Sequence, residues 1–296
     1  MKKVIVLLAT IMIIVMGFAL IKGQHPSSKN STHRQIKIVA STDFYAELAQ
    51  AVVGSHGKAI AIIKNQNISP EDYEPTTAVA KQVSQADIAL ANGLGYDTWL
   101  NKLAKASDQA KLIRVGETVL KQKTGSNPHL WNNPETMIKT AQYLAKQLGK
   151  EDPAHKADFQ KNAKKYIASL KPIQSLITQI SQDSNGQSVA QTEPVFEYML
   201  KALGYHVMDS DFSEAIEAGN DPSPTTLASL RLAIENHQIA FIVNNKQTSS
   251  TTVSNIISLA KTHDIPVVNV TETLPNGENY VSWQLSELQQ IAKITK

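Results

Sequence analysis

Short apolar runs alternate with helical patterns along most of this chain, and this alternation constrains the fold more than any other feature. The runs predict eight strands: Ile36 to Ala40, Lys58 to Lys64, Ala86 to Ala91, Lys111 to Val115, Ser188 to Gln191, His206 to Met208, Ala240 to Asn244 and Pro266 to Val270. Strands that alternate with helices are typical of parallel sheets covered on both faces. The sequence therefore predicts an α/β fold of two lobes, each a mainly parallel sheet flanked by helices.

One long helical stretch separates the two groups of strands. Apolar side chains recur at helical spacing from Lys156 to Gln182, and Pro172 is expected to kink or split the helix. At ~1.5 Å per residue, such a helix spans about 40 Å and joins two lobes rigidly. We expect a segment 1–34 ahead of the fold, an N-terminal lobe over 35–154, a linking helix over 155–183 and a C-terminal lobe over 184–296.

The first residues indicate the compartment. Two lysines precede an uncharged and almost wholly apolar run from Val4 to Ile21, and a polar tract from Gly23 to Arg34 follows it. The run is longer than the ~7–15 residues of a cleaved signal core and close to the ~20 that span a bilayer. We expect an uncleaved membrane anchor, with a removed signal as the alternative. In both cases the remainder lies outside the cytoplasm, because the lysines hold the N-terminus inside.

Composition excludes several functions. The net charge of +3 is scattered without a basic stripe, so nucleic acid is not an expected partner. The chain has no cysteine, which excludes disulfides, thiol catalysis and cysteine-based zinc sites. It also has no Gly-x-Ser-x-Gly or His-Glu-x-x-His motif, so an extracytoplasmic hydrolase is disfavoured, although a carboxylate–histidine cluster alone leaves metal-dependent hydrolysis open. We expect a protein that is not an enzyme.

The segment Asn127-Pro128-His129-Leu130-Trp131 holds one imidazole between rigid neighbours. A single histidine usually only packs or caps, but this ring is held in place before any ligand arrives. Three carboxylates, those of Glu71, Glu193 and Glu272, stand just after predicted strands or at predicted helix starts. Ligands collect at the carboxyl ends of parallel strands. The four side chains are therefore candidates for one site.

Each carboxylate also has a structural interpretation. Four predicted helix starts place serine, asparagine or aspartate directly before proline, as is typical of helix N-termini: Ser69-Pro70, Asn133-Pro134, Asp152-Pro153 and Ser223-Pro224. Glu71 then lies within a capping box formed by Ser69 and Asp72, and this interpretation competes evenly with metal ligation. Glu193 would be a helix-start charge before Pro194, and Glu272 a solvated loop charge. The three tryptophans are expected to pack in cores.

Three local patterns resemble the metal-binding solute receptors of ABC importers, the cluster A-I receptors for zinc and manganese. They are Ser69-Pro70-Glu71-Asp72-Tyr73-Glu74-Pro75 with Asn92-Gly93-Leu94-Gly95-Tyr96, then the segment around His129, then Thr192-Glu193-Pro194 with Ile265 to Glu272. The resemblance covers nearly everything after residue 34. It implies two lobes joined by one rigid helix, with a divalent cation bound between them.

The resemblance implies Glu71, His129, Glu193 and Glu272 as metal ligands. Most members of the family have histidine at the position of Glu71, so this chain departs from the pattern there. One nitrogen and three carboxylates favour manganese, although zinc also binds such a set. The transported ligand is then Mn²⁺ or Zn²⁺, and the expected partners are an ABC permease and its cytoplasmic ATPase. We expect a monomer. The alternative is a receptor of the same fold with altered or lost metal binding, acting as a surface adhesin or receiving another ligand.

Overall fold

Two four-stranded parallel sheets form the centre of the structure, which is a computed structural model describing residues 35–208 and 210–295. The eight strands are β1 (Ile36–Thr42), β2 (Gly57–Ile63), β3 (Ile88–Ala91), β4 (Lys111–Arg114), β5 (Ser188–Gln191), β6 (His206–Val207), β7 (Ile242–Asn245) and β8 (Val267–Val270). Their orders are β2-β1-β3-β4 and β6-β5-β7-β8. All eight predicted strands are confirmed, as is the predicted α/β fold class.

Helices cover both sheets, because parallel neighbours need a crossover connection that returns to the same edge. The helices are α1 (Asp43–Val53), α2 (Thr77–Ser84), α3 (Thr98–Lys105), α4 (Thr136–Glu151), α5 (Lys156–Ser169), α6 (Lys171–Asp183), α7 (Glu197–Ala202), α8 (Ser210–Glu217), α9 (Pro224–Glu235), α10 (Thr251–Thr262) and α11 (Tyr280–Ile294). Among the described residues, no helix combines the length and apolar character that a bilayer crossing requires. The predicted N-terminal anchor, Val4 to Ile21, lies outside the described residues.

The connection between the sheets is helical from Lys156 to Asp183 and divides into α5 and α6 at Leu170. Pro172 lies in the first turn of α6, where its missing N–H group costs no intrahelical hydrogen bond. The predicted split at this proline is confirmed.

The largest hydrophobic cluster contains side chains from both sheets and from both connecting helices. At its centre the ring of Phe44 on α1 lies 5.3 Å from the ring of Trp131 and 5.8 Å from that of Trp283 on α11. These rings are fully buried, and Trp99 is buried in a second cluster of the first sheet. The expectation that the tryptophans pack in cores is therefore confirmed.

The helix predicted to start at Ser69-Pro70 does not form. Residues 69–76 follow an irregular path, and α2 begins only at Thr77, where the Thr76 hydroxyl accepts a hydrogen bond from Val79 N. Pro70 and Pro75 stand too close together for a helix, because the second proline would fall in its interior and break it. The interpretation of Glu71 as a helix-start charge is therefore wrong. The start at Ser223-Pro224 is confirmed, since the Ser223 hydroxyl accepts from Thr226 N at 3.1 Å.

Candidate metal centre

Asn127 fixes the orientation of the His129 ring. The Nδ2 group of Asn127 donates to the carbonyl of Pro194 at 2.8 Å and to Glu197 Oε2 at 2.9 Å, which settles the orientation of the amide. Its Oδ1 then faces His129, where it lies 2.9 Å from the backbone N and 2.8 Å from ring Nδ1. An amide oxygen only accepts hydrogen bonds, so Nδ1 carries the proton.

The other ring nitrogen, Nε2, therefore has a free lone pair. The side chain of His129 is only 3% exposed, and burial lowers its pKa to about 3. The ring is neutral at pH 7 and presents an unprotonated nitrogen to its surroundings. A metal-binding histidine typically donates its remote N–H to a carbonyl or carboxylate in this way, which fixes the tautomer.

The turn after β3 positions Tyr96 beside the site. The backbone has positive φ at Gly93 (84°), Leu94 (56°) and Gly95 (104°), and the glycines accept this conformation without strain. Buried Asp97 closes the turn by accepting from Gly93 N at 2.9 Å. The turn delivers the fully buried Tyr96 ring next to Glu272, whose charge further raises a tyrosine pKa that burial already raises.

Glu193 follows β5 and is held by two donors of the second sheet. Asn245 Nδ2 lies 2.5 Å from Glu193 Oε2, and the hydroxyl of Thr248 donates to the same oxygen. Asn245 ends β7, so the two residues meet because parallel strands end at one edge of the sheet. The carboxylate is half-buried and fixed at this edge, with its second oxygen free of those two bonds.

Glu272 follows β8 at the same edge. Its backbone N donates to Gln247 Oε1 at 2.6 Å, and its side chain is half-buried. Burial raises the pKa of Glu272 to about 7, the nearby Tyr96 hydroxyl lowers it, and the charges of Glu71 and Glu193 raise it again. A cavity of about 380 Å³ with Ser69, Thr248 and Glu272 in its wall opens beside the carboxylate.

Glu71 lies on the irregular segment that replaces the predicted helix. Trp99 Nε1 donates to the carbonyl of Pro70 at 3.0 Å, which holds this segment against α3. Glu71 is the most exposed of the four predicted ligands. Partial burial of its carboxyl, followed by the charges of Asp72 and Glu193, raises its pKa. The charge of Glu71 therefore acts on carboxylates of the other lobe.

Sequence reasoning missed Glu217, the last residue of α8. Its Oε1 lies 3.7 Å from His129 Nε2, and its side chain is 29% exposed. Burial raises the pKa of Glu217 to about 7, with further contributions from Glu71, Glu193 and Glu272. An eight-residue helix between loops has a weak periodic signal, and nothing in its local sequence indicates that its last residue meets His129.

The structure thus gathers four carboxylates and one neutral imidazole where the two lobes face each other. Electrostatic coupling links Glu71, Glu193 and Glu272, while the short distance to His129 belongs to Glu217. Within residues 35–208 and 210–295, no three histidine, aspartate or glutamate side chains lie close enough together to hold an ion as they stand. The arrangement concentrates negative charge around one unprotonated nitrogen.

A sequence comparison decides the family. The family described as "Zinc-uptake complex component A periplasmic", ZnuA, matches residues 38–294 of this chain. The chain belongs to the ZnuA family. The resemblance found from the three sequence patterns is confirmed, and with it the class: ZnuA proteins of this kind are extracytoplasmic substrate-binding components of metal ABC transporters, and not enzymes.

Relatives of this ZnuA-family chain are named for different metals. The metal ABC transporter substrate-binding lipoprotein ScbA of Streptococcus cristatus is 25% identical over 308 residues, covering 97% of each chain. The iron ABC transporter substrate-binding lipoprotein MtsA of Streptococcus pyogenes is 27% identical over 72% of this chain and 73% of its own. The zinc-binding lipoprotein AdcA of Streptococcus pneumoniae is 23% identical over 100% of this chain and 61% of its own.

Solved structures show the same fold. A periplasmic metal-binding protein from Candidatus Liberibacter asiaticus, bound to manganese, superimposes with a TM-score of 0.73 at 17% identity, covering 88% of this chain and 100% of the other. FpvC from Pseudomonas aeruginosa, in complex with Mn²⁺, gives a TM-score of 0.70 at 19% identity, with 88% and 98% covered. The ZnuA-family fold of two parallel sheets is therefore shared across distant sequences.

Proposed function

We propose that this chain captures a divalent transition-metal cation, Mn²⁺ or Zn²⁺, between its two lobes and delivers it to an ABC permease that a cytoplasmic ATPase drives. It acts as a monomer held outside the cytoplasm by its N-terminal segment. The proposed ligands are His129, Glu193 and Glu272, with Glu71 at the exposed side of the site. The metal ion is the transported substrate and not a resident cofactor.

One observation carries the proposal: an unprotonated His129 Nε2 stands in a cluster of carboxylates contributed by both lobes. Burial and mutual repulsion raise the pKa of Glu71, Glu217 and Glu272, so the cluster is unfavourable without a cation. A divalent ion would compensate these charges, and it would accept the nitrogen lone pair at the same time. Within the part of the chain that the structure describes, no lysine or arginine forms an ion pair with these three carboxylates.

The lobe interface is built differently on its two sides, and this difference suits a protein that captures a metal ion and then releases it. Behind His129, buried Asn132 donates to the carbonyl of Val195 at 2.8 Å, and Tyr280 OH donates to the carbonyl of Trp131 at 2.6 Å. At the front, the carbonyl of Gln66 accepts from the Thr273 hydroxyl at 2.8 Å and from Gln247 Nε2. We call Gln66, Gln247 and Thr273 the clasp. The contacts behind His129 are buried, whereas the clasp reaches the surface through exposed Gln247, although Thr273 is buried; we expect the lobes to separate at the clasp.

The ligand set favours manganese. Carboxylate oxygens suit Mn²⁺, whereas zinc sites lean on histidine and cysteine, and this site has one histidine and no cysteine. Zinc still binds such ligands tightly because it stands above manganese in the Irving–Williams order. Selection of manganese would therefore depend on coordination number and on which metal is available.

Isothermal titration of the full-length chain in mild detergent, stripped with a chelator and dialysed, tests the proposal. We expect one Mn²⁺ or Zn²⁺ ion to bind per chain and to raise the melting temperature, because the ion binds only the folded state. His129→Ala should remove this binding, while His206→Ala, an exposed histidine of β6, should not. Absence of binding and of a thermal shift with both metals would contradict the proposal and leave the adhesin alternative.

A further inference from the structure

Glu217 occupies an unusual place for a carboxylate. Phe212 and Ile216 on α8 are buried in the core of the second lobe, and this anchors the helix. Glu217 follows Ile216, and its Oε1 lies 3.7 Å from Nε2 of His129. It sits in the last turn of α8, where the helix dipole disfavours negative charge.

The pair of Glu217 and His129 is not an ordinary ion pair or hydrogen bond. Asn127 holds the ring proton on Nδ1, so Nε2 of the neutral ring is an acceptor, and a carboxylate oxygen is an acceptor too. A separation of 3.7 Å also exceeds the range of a hydrogen bond. Among the described residues, no lysine or arginine forms an ion pair with Glu217. With Glu217 ionised, two acceptor atoms therefore face each other.

A shared metal ion accounts for this geometry. Two ligand atoms that each lie about 2.1 Å from one ion are separated by at most ~4.2 Å, and by less when the angle between them is smaller. The observed 3.7 Å falls inside that limit. The surroundings contain three more carboxylates, from Glu71, Glu193 and Glu272, so the position is suited to a cation.

We infer that Glu217 is itself a ligand of the bound cation, supplied by α8, and that it favours manganese over zinc. This inference rests on the proposed function and adds to it a residue outside the three sequence patterns. With Glu217, the site offers His129, Glu193, Glu272 and Glu217, and Glu71 can supply a fifth side chain. Manganese accepts such an oxygen-rich, high-coordination set, whereas structural zinc is satisfied by four ligands in a tetrahedron.

The test uses the full-length chain in detergent and measures Mn²⁺ and Zn²⁺ affinity by titration against a competing chelator. Glu217→Gln should weaken Mn²⁺ binding at least tenfold and Zn²⁺ binding by a smaller factor. Glu217→Asp keeps the charge but is too short to reach the ion, so it should weaken Mn²⁺ binding as well. Asp211→Asn, at an exposed position of the same helix, removes an equal charge and should match the wild type.

The metal-free proteins provide a second readout. Glu217→Gln should raise the melting temperature of the metal-free chain, because it removes a charge from a repulsive cluster. Wild-type Mn²⁺ affinity in both Glu217 variants would overturn the inference while leaving the proposed function intact. Equal weakening by Asp211→Asn would also overturn it, since the effect would then be long-range charge alone. Absence of metal binding by the wild type itself would reject the proposed function instead.

Discussion

The Oδ1 atom of Asn127 lies 2.8 Å from Nδ1 of His129, two residues along the same loop. The opposite side of the same amide binds the carbonyl of Pro194 and the carboxylate of Glu197 in the second lobe. Asn127 therefore fixes the tautomer of the buried imidazole with one side of its amide and bonds the second lobe with the other. The orientation of Nε2 toward the carboxylates depends on this arrangement.

Replacement of Asn127 should weaken metal binding without removing a ligand. Asn127→Ala deletes the acceptor that holds the proton on Nδ1, so the ring can turn or change tautomer. Loss of such a partner typically costs about 10–100-fold in metal affinity. Titration with Mn²⁺ measures the effect.

Asn132→Ala is the matched control. Asn132 also bridges the lobes, through Val195 and Gln284, and among the described residues its side chain has no hydrogen bond to the imidazole. The variant should lose stability, by about 1–3 kcal/mol for the polar groups left unpaired, and keep the metal affinity of the folded protein. Equal affinities for the two variants would show that Asn127 acts only through the lobe interface.

The clasp should control the rate of metal release. Gln247 Oε1 accepts from Glu272 N at 2.6 Å and from Thr273 N at 3.2 Å, while its Nε2 reaches Gln66 in the first lobe. Gln247→Ala should speed release into excess chelator by roughly tenfold or more, corresponding to ~1.4 kcal/mol. Stopped-flow mixing provides the rate, and the exposed neighbour Lys246→Ala is the control. Unchanged release would mean that the clasp does not hold the lobes together.

Glu287 should make the metal-free protein less stable as pH rises. Burial raises the pKa of this α11 carboxyl to about 8, although Thr271 N and Trp283 Nε1 donate to it at 2.9 and 2.8 Å. In the unfolded chain the pKa returns to its ordinary value of 4.5. Between these pH values the folded state binds more protons, so the free energy of unfolding falls as pH rises, by at most ~1.4 kcal/mol per unit for this group.

Urea titrations from pH 4.5 to pH 8, in chelator, test the pH effect. Glu287→Gln keeps the neutral shape and should remove the share of the slope that Glu287 contributes, most visibly between pH 7 and pH 8. Glu217 and Glu272, with pKa values raised to about 7, should leave a smaller slope below neutral pH. If the free energy of unfolding changed with pH equally in wild type and variant, Glu287 would be ionised in the folded state throughout this range. That result would contradict its raised pKa.

The N-terminal segment should be a protein anchor and not a lipid attachment site. The streptococcal relatives are named lipoproteins, but this chain has no cysteine and hence no thiol to acylate. Mass spectrometry of the membrane-extracted chain should show an N-terminus at or next to Met1 with no lipid. A mature N-terminus near Gly23 in the culture medium would identify a cleaved signal.

Local sequence patterns predicted the strands well because the apolar residues that mark a buried strand are consecutive in the sequence. The split at Pro172 was equally local, since one proline breaks the helix wherever the chain packs. The helix predicted to start at Ser69-Pro70 was wrong, because a capping residue before proline also starts a turn. Pro75 then prevents a helix from continuing. The position of Glu217 beside His129 could not be predicted from the sequence. It depends on how α8 packs its apolar face into the second lobe, and no local pattern describes that packing.

Anomalous diffraction from crystals of the manganese-loaded chain tests the central claim most directly, because it locates the ion without relying on affinity. We predict one peak between the lobes, about 2.0–2.3 Å from His129 Nε2 and from oxygens of Glu193, Glu217 and Glu272. A single peak elsewhere on the chain, or an ion bound without His129, would contradict the account.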